Sequence, residues 1–208
     1  MRSDSTPPAE HETARPGRRR SAQAHEAILD ATLEKLHDVG FAGLTIEGVA
    51  ARAGVGKTTV YRWWPTKNGL VIEALDRYLD AAPLQPTGDS RADIRALIQR
   101  IADTFARPPL GDVLPALAVD LTRDPEAAEQ FRKMMGPRRA ANAAVIQHIA
   151  DRGDLPRDVD PHALLDMLAG AILYRSLLGA ALTATLIEQL TDLVLHGLLP
   201  RTPALSGD

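Results

Sequence analysis

The fold is decided by residues 44–75, which read LTIEGVAARAGVGKTTVYRWWPTKNGLVIEAL. Apolar residues recur at helical spacing before the glycines, at Ile46, Val49, Ala50 and Ala53. Thr45 precedes them as an N-cap, Gly54 ends the helix, and a second short helix follows from Lys57. Two short helices joined by a tight turn that contains glycine predict a helix-turn-helix, whose second helix enters the major groove of DNA.

The same stretch contains Gly56-Lys57-Thr58, which matches the second half of the phosphate-binding loop of nucleotide-binding enzymes. That loop needs another glycine at the position that Ala51 occupies here, and it follows a buried β-strand. The residues before Gly54 have helical spacing instead. We therefore interpret the segment as a turn and the start of a recognition helix. A nucleotide-binding enzyme that uses Gly56, Lys57 and Thr58 stays an alternative function.

The composition is that of an ordinary globular protein, with 208 residues, 45% of them hydrophobic and 25% charged. The chain has no cysteine, which excludes disulfides and thiolate zinc sites. No apolar run reaches the ~20 residues of a membrane span, and the N-terminus lacks the apolar core of a secretory signal. We expect a cytoplasmic, nucleoid-associated protein with no membrane partner.

The net charge of −3 hides an asymmetry. Residues 15–70 hold nine Lys and Arg against five Asp and Glu, whereas residues 71–208 hold fourteen against nineteen. A basic head on an acidic body is typical of a DNA-binding unit joined to a regulatory unit. Ordinary fluctuation of charge along the chain is the alternative.

Composition also divides the chain. Residues 1–19 are polar without periodicity and predict a disordered basic arm. The linker AAPLQPTGDS separates a DNA-binding domain at 20–82 from a larger C-terminal domain at 90–200, and 201–208 form a tail. We find no alternating strand pattern and no repeat. The predicted fold class is all-α, with about nine helices.

Proline marks the helix limits of the C-terminal domain. Two helix starts combine a capping aspartate with a first-turn proline, at Asp124-Pro125 and Asp160-Pro161. Two helices are expected to be kinked or split, at Pro115 and at Gly136-Pro137. The helix after Asp160 is expected to run to about Ala181, and a last helix from near 185 to 199.

The run Arg18-Arg19-Arg20 has two interpretations. One is a solvated, disordered arm. The other is an arm that enters the minor groove beside the helix-turn-helix, as basic arms do. Any contribution to binding would be electrostatic and sensitive to salt.

The stretch 44–75 resembles the DNA-binding segment of the TetR family of transcriptional regulators. The resemblance covers about residues 21–80, and its main elements are Leu44-Thr45, Ala50-Ala51-Arg52-Ala53-Gly54-Val55, Tyr61 with Trp64, and Lys67 before Leu70. The C-terminal part is similar to one subgroup of ligand-binding domains through Asp124-Pro125, Pro137-Arg138-Arg139, Arg152-Gly153-Asp154-Leu155 and Tyr174-Arg175-Ser176-Leu177-Leu178-Gly179. Gly48 departs from the family pattern in the support helix.

The resemblance implies a set of DNA contacts. Thr45, Tyr61 and Lys67 would bind phosphates, which fix register without reading sequence. Lys57, Thr58 and Arg62 are the candidates for base edges, and lysine can donate to O6 and N7 of guanine. Two further residues are expected near the DNA backbone, Thr59 and Trp63. Trp64 is expected in the core.

The resemblance also implies a ligand cavity in the C-terminal domain. Four polar or aromatic residues are candidates to line it, Phe105, Gln147, His148 and Tyr174. His148 has no second histidine or carboxylate four residues on, so we predict no metal and no cofactor. The alternative is that these helices form plain core.

The last two helices are predicted to form a homodimer. Leucines and small residues in 164–182 allow close helix approach, and a second leucine stripe follows. The candidate interface residues are Leu165, Ala169, Gly170, Leu186, Leu190 and Leu193. Two such helices from each subunit would make a four-helix bundle. Packing of both helices on their own chain is the alternative.

These observations predict a DNA-binding transcriptional regulator and not an enzyme. We expect a repressor that binds a palindromic operator as a homodimer and is released by a small apolar or amphipathic ligand. An activator or a ligand-independent DNA binder of the same fold stays open.

Overall fold

All of the regular structure in the described chain is helical. The computed structural model describes residues 16–79 and 82–197, and these contain nine α-helices and no strand. The helices are α1 Pro16–Gly43, α2 Ile46–Ala53, α3 Lys57–Trp63, α4 Lys67–Tyr78, α5 Ser90–Ala106, α6 Leu110–Leu121, α7 Pro125–Asp151, α8 Pro161–Leu177 and α9 Ala184–His196. The predicted all-α fold class is confirmed.

The first helix begins earlier than we predicted. α1 starts at Pro16, so residues 16–19 are helical, and the expectation of disorder over the whole of 1–19 is wrong for them. A proline fits the first turn of a helix because the N–H that it lacks would have no helical partner there. Residues 1–15 lie outside the described residues. At the other end, the regular part of α1 stops at Gly40, whose φ of 67° is left-handed.

Two helices that we expected to be kinked or split at a proline are not split. α6 runs through Pro115, and α7 runs through Gly136 and Pro137. In α7, Arg138 after the proline pairs with Asp76 of α4 at 2.7 Å, and Met134 lies before the proline. Met134 is itself buried in a core. Tertiary packing on both sides of the proline therefore offsets its local cost of about 3 kcal/mol.

The end of α8 also differs from the prediction. The helix stops at Leu177 rather than near Ala181. Gly179 takes a φ of 64°, and its N–H donates to the carbonyl of Ser176 at 3.0 Å, which closes the helix. The predicted end of the last helix, near 199, lies outside the described residues.

Two apolar cores organise the chain. The first lies among α1–α4 and continues into α6 and the first half of α7, through Leu110, Val113, Leu117, Ala127 and Met134. The second lies among α5, the rest of α7, α8 and α9. The linker therefore divides the chain in sequence, while the core of the head is completed by helices of the body.

Helix α4 is tied to α7 at both of its ends. Near its start, Asn68 Nδ2 donates to Asp124 Oδ2 at 3.0 Å. Near its end, Arg138 Nη1 lies 2.7 Å from Asp76 Oδ1, and the Arg138 side chain is only 12% exposed. Two polar contacts therefore join α4 to α7, one near each end of α4.

Candidate nucleic-acid interface

The turn between α2 and α3 has the hydrogen bonds of a glycine-capped helix end. Gly54 takes a φ of 66°, its N–H donates to the carbonyl of Ala51 at 3.3 Å, and the N–H of Val55 donates to that of Ala50 at 3.0 Å. Val55 is half-buried against the first core. The predicted turn is confirmed, and it holds the two short helices at a fixed angle.

Thr45 caps the first of these helices. Its Oγ1 accepts from the N–H of Gly48 at 3.1 Å, while the residue itself is exposed. A Cβ added to Gly48 would lie 3.1 Å from the same oxygen. The glycine that departs from the family pattern thus leaves room for the capping hydroxyl. A phosphate contact of Thr45 stays a prediction.

Helix α3 has a buried face and an exposed face. Val60 and Trp64 are buried, at 0% and 3% exposure, and attach the helix to the head. The opposite face is exposed and carries Lys57, Thr58, Tyr61 and Arg62, while Thr59 lies between the two faces and is half-buried. A short helix with one anchored face and one polar face has the form of a major-groove recognition helix.

The ammonium of Lys57 has an acidic partner that sequence reasoning missed. Lys57 Nζ forms an ion pair with Glu47 in the first turn of α2, and it lies 5.5 Å from the centre of the Tyr61 ring. The hydrogen bond from Lys57 lowers the pKa of the Glu47 carboxyl, and the same bond raises the pKa of Lys57. Both groups are therefore charged at neutral pH. No local motif joins two residues on different helices, so this pair had no signal in the sequence.

Trp63 packs more than we expected. It is half-buried against the first core, and its ring meets that of His25 edge-on with centroids 5.1 Å apart. The Arg62 guanidinium carbon lies 5.2 Å from the centre of the Trp63 ring. Trp63 thus packs against His25 on α1 and against the Arg62 side chain. Its contact with the DNA backbone stays a prediction.

Trp64 confirms its expected place in the core and shows how the head is braced. Its indole Nε1 donates to Glu73 Oε2 at 2.7 Å. The other oxygen of Glu73 lies 3.0 Å from His25 Nε2. One carboxylate on α4 thereby joins α1 to the end of α3, which fixes the orientation of the recognition helix.

Lys67 also has an internal partner. Its Nζ donates to the carbonyl of Phe41 at 3.2 Å and lies 4.2 Å from the centre of the Phe41 ring. The side chain therefore lies against the apolar ring of Phe41 and does not project freely into solvent. The ammonium has further N–H donors, so a phosphate contact stays a prediction, now joined to a structural role.

The four candidate ligand residues are not gathered around one cavity. Phe105 packs against the second core, Tyr174 is 64% exposed, and Gln147 and His148 are exposed. An open groove of about 520 Å³ exists elsewhere, lined by Gly88, Asp89, Ser90, Arg91, Arg152, Asp154, Leu195 and His196. None of the four lines it. A ligand site that includes them stays a prediction.

The candidate dimer residues separate into core and surface. Leu165 is buried at 4% exposure, so its assignment to an interface is wrong: it lies on the face of α8 that meets the second core. Ala169 and Leu190 also pack against that core. Leu186 and Leu193 are half-buried, and Gly170 is exposed with open space around it.

Other kinds of site find no support in the described residues. Within 16–79 and 82–197, no group of three or more His, Asp or Glu side chains has the geometry to hold a metal ion. The same part of the chain contains no helix long and apolar enough to cross a membrane. Gly56, Lys57 and Thr58 follow a helix and not a strand.

Similarity to known proteins covers both parts of the chain. Residues 28–74 match the bacterial regulatory proteins of the tetR family, and residues 84–194 match the tetracyclin repressor-like C-terminal domain. The chain is 31% identical over 164 residues to the uncharacterized HTH-type transcriptional regulator YdeS of Bacillus subtilis, covering 78% of this chain and 82% of that protein. It is 31% identical over 176 residues to the DNA-binding transcriptional repressor TetR of Mycobacteroides abscessus, covering 81% and 90%.

A solved structure agrees with these matches. The crystal structure of the TetR family transcription regulator SCO0332 has a TM-score of 0.71 and 32% sequence identity, over 86% of this chain and 100% of that one. With the helix-turn-helix geometry described above, the matches show that this protein belongs to the TetR family and is a DNA-binding transcriptional regulator, not an enzyme.

Proposed function

We propose that this protein is a repressor that binds a palindromic operator as a homodimer and leaves it when a small apolar or amphipathic ligand binds the body. The operator would lie near the gene for the protein itself or near an adjacent gene. The protein would act in the cytoplasm, on the nucleoid. The similarity to a DNA-binding transcriptional repressor supports the sign of regulation.

The observation that carries the proposal is the exposed face of α3. Lys57, Thr58, Tyr61 and Arg62 are all exposed on a helix whose other face is anchored by Val60. Lysine and arginine match the acceptors of guanine, and threonine can donate, accept or contact the thymine methyl group. Such a face can read a few base pairs, so one copy per half-site gives a useful operator only as a dimer.

An apolar stripe on α8 supports the dimer. Met167, exposed at 58%, and Tyr174, at 64%, lie on the helix with Gly170 between them, and Leu178, at 65%, continues the stripe at the C-cap. Spacing of three and four residues puts them on one helix face, opposite the buried Leu168 and Ile172. Exposed apolar surface of this kind is typical of protein interfaces. The stripe replaces Leu165 in the proposed interface.

Arg175 supports an amphipathic effector. It continues the core-facing stripe of α8 after Leu168 and Ile172, and its Nε is buried without a hydrogen-bond partner in the described residues. A buried guanidinium N–H without an acceptor is costly. A ligand with an apolar body and an oxygen acceptor would satisfy that N–H.

Release would follow the coupling between α7 and α4. A ligand that binds the form unable to fit the operator shifts the population toward that form. The hydrogen bond between Asn68 and Asp124 and the ion pair between Arg138 and Asp76 would transmit a shift of α7 to α4. The head of each subunit would then lose its spacing on the two half-sites.

The test is selection of genomic fragments by the purified protein. The wild type should enrich fragments that contain an inverted repeat upstream of its own or a neighbouring gene. The Lys57→Ala/Arg62→Ala variant should lose this enrichment. A matched control removes two exposed cations from α7, Arg132→Ala/Lys133→Ala, and should keep it. Enrichment without any repeat, or equal loss in both variants, would contradict the proposal. A reporter behind the recovered fragment separates repression from activation by the direction of its response.

A further inference from the structure

We propose that Glu47 sets the specificity of DNA binding by holding the ammonium of Lys57 away from phosphates until a base edge displaces it. This inference rests on the proposed reading of an operator by α3. It goes beyond that function because it assigns the discrimination between operator and random DNA to an acidic residue.

The position of the ion pair supports this role. Glu47 lies in the first turn of α2, two residues after Thr45, and Lys57 is the first residue of α3. Their side chains are 60% and 49% exposed, so the pair is not part of a core. It lies instead on the polar side of the helix-turn-helix, where α3 would meet DNA.

Electrostatics make a carboxylate unfavourable at this position. DNA carries dense negative charge, and a protein gains sequence-independent affinity for each phosphate that a cation neutralises. Glu47 cancels the charge of Lys57 in the free protein. Lys57 therefore adds little to the attraction for arbitrary DNA, although it stands at the start of the recognition helix.

The strengths of the competing contacts favour release on the operator. Exposed ion pairs are weak, and they change the equilibrium constant between the paired and unpaired states by a factor of about five or less. A good contact between lysine and guanine discriminates by roughly five- to 150-fold. A guanine edge at the right position can thus displace Glu47. A phosphate contact raises DNA affinity about eightfold at about 0.1 M salt, and the loss of the ion pair largely offsets this gain.

The experiment measures the affinity for a random-sequence duplex across salt concentrations. Glu47→Gln should bind this duplex about five- to tenfold more tightly at about 0.1 M salt, because Lys57 becomes free to contact a phosphate. The salt slope, which is the slope of log affinity against log salt concentration, should become steeper by about 1. Glu47→Gln/Lys57→Met should return to the wild-type slope. Lys57→Met alone should keep that slope, since Lys57 makes no phosphate contact on random DNA.

The matched control is Glu34→Gln. Glu34 forms the same kind of exposed ion pair within the head, with Arg52 Nε at 2.6 Å, and its removal changes the net charge equally. It should change random-duplex affinity by less than about twofold. With the operator recovered by selection, Glu47→Gln should lower the ratio of operator to random affinity.

Two results would overturn the inference alone: a steeper slope that persists in Glu47→Gln/Lys57→Met, or equal effects of Glu47→Gln and Glu34→Gln. Wild-type protein that shows no salt-dependent binding to any duplex would overturn the proposed function and this inference with it.

Discussion

The guanidinium of Arg138 on α7 closes the last turn of α4 through Asp76. Its Nη1 lies 2.7 Å from Asp76 Oδ1, and its Nη2 donates to the carbonyls of Asp76 at 2.9 Å and Leu79 at 3.1 Å. The carbonyls at a helix end have no partner within the helix, so a side chain from another helix satisfies them here. One residue of the body thereby holds the end of the helix that carries the head.

Replacement of Arg138 should therefore destabilise the fold. Arg138→Met should lower the free energy of unfolding by about 2–4 kcal/mol, because charge-assisted hydrogen bonds are lost at a mostly buried site. Arg139→Met is the control: Arg139 pairs with Asp166 on α8 but is more exposed, and its loss should cost less than about 1 kcal/mol. Urea denaturation measures both. Equal losses of unfolding free energy in the two variants would show that the contacts of Arg138 with α4 stabilise the fold no more than the Arg139 ion pair does.

The stripe on α8 predicts an effect on assembly. Gly170→Leu should dissociate the proposed dimer at micromolar concentration, because a bulky side chain would separate helices that meet at the glycine. Gly136→Leu is the matched control, because Gly136 lies on α7, is also exposed, and also has open space around it. Light scattering reports the mass of each variant. If the Gly170→Leu protein keeps the mass of a dimer, α8 is not part of the interface.

The cap of α7 predicts a dependence on pH. The N–H of Ala127, and after it the amide of Asn68, hold the pKa of the Asp124 carboxyl below its ordinary value. A depressed pKa stabilises the fold above the unfolded pKa, and this stabilisation is lost as the pH falls through the folded pKa. Asp124→Ala should cost about 2 kcal/mol at neutral pH, and progressively less as the pH falls from about 4 toward the folded pKa.

Asp160→Ala serves as the control for the cap. Asp160 caps α8 ahead of a proline in the same way, accepting from the N–H of His162 at 2.8 Å. Its loss should cost about 1 kcal/mol, as an ordinary N-cap does. If both variants lose the same free energy at neutral pH, the bond between Asn68 and Asp124 adds nothing to stability.

Lys67 should contribute both to stability and to binding. Lys67→Ala should cost about 1–2 kcal/mol of unfolding free energy, because the bond to the Phe41 carbonyl is lost. It should weaken operator and random DNA alike and reduce the salt slope by about 1. Thermal unfolding and duplex titrations check the two effects. An unchanged salt slope would leave Lys67 with its structural role only.

Local features of the fold could be predicted from the sequence, and contacts between distant helices could not. The turn at Gly54 and the cap at Thr45 depend on hydrogen bonds within a few residues, so residue type alone indicates them. The pairs of Lys57 with Glu47 and of Lys67 with Phe41 depend on how helices cross. Neither pair has a spacing that a motif could reveal.

The errors have the same cause. Leu165 and Met167 are both apolar and lie two residues apart on α8, yet only the first faces the core. Which side of an apolar helix faces inward depends on its neighbours and not on its composition. α7 was expected to be kinked or split at Gly136-Pro137 and is not split, because Arg138 contacts α4 and Met134 packs in the first core, contacts that come from other helices.

The most direct test of the account is the affinity of Lys57→Ala for the recovered operator and for random duplex. We predict a loss of roughly five- to 150-fold on the operator and little change on random DNA, because Lys57 reads a base edge on the one and stays paired with Glu47 on the other. Equal losses on the two duplexes would contradict the account and make Lys57 a phosphate ligand.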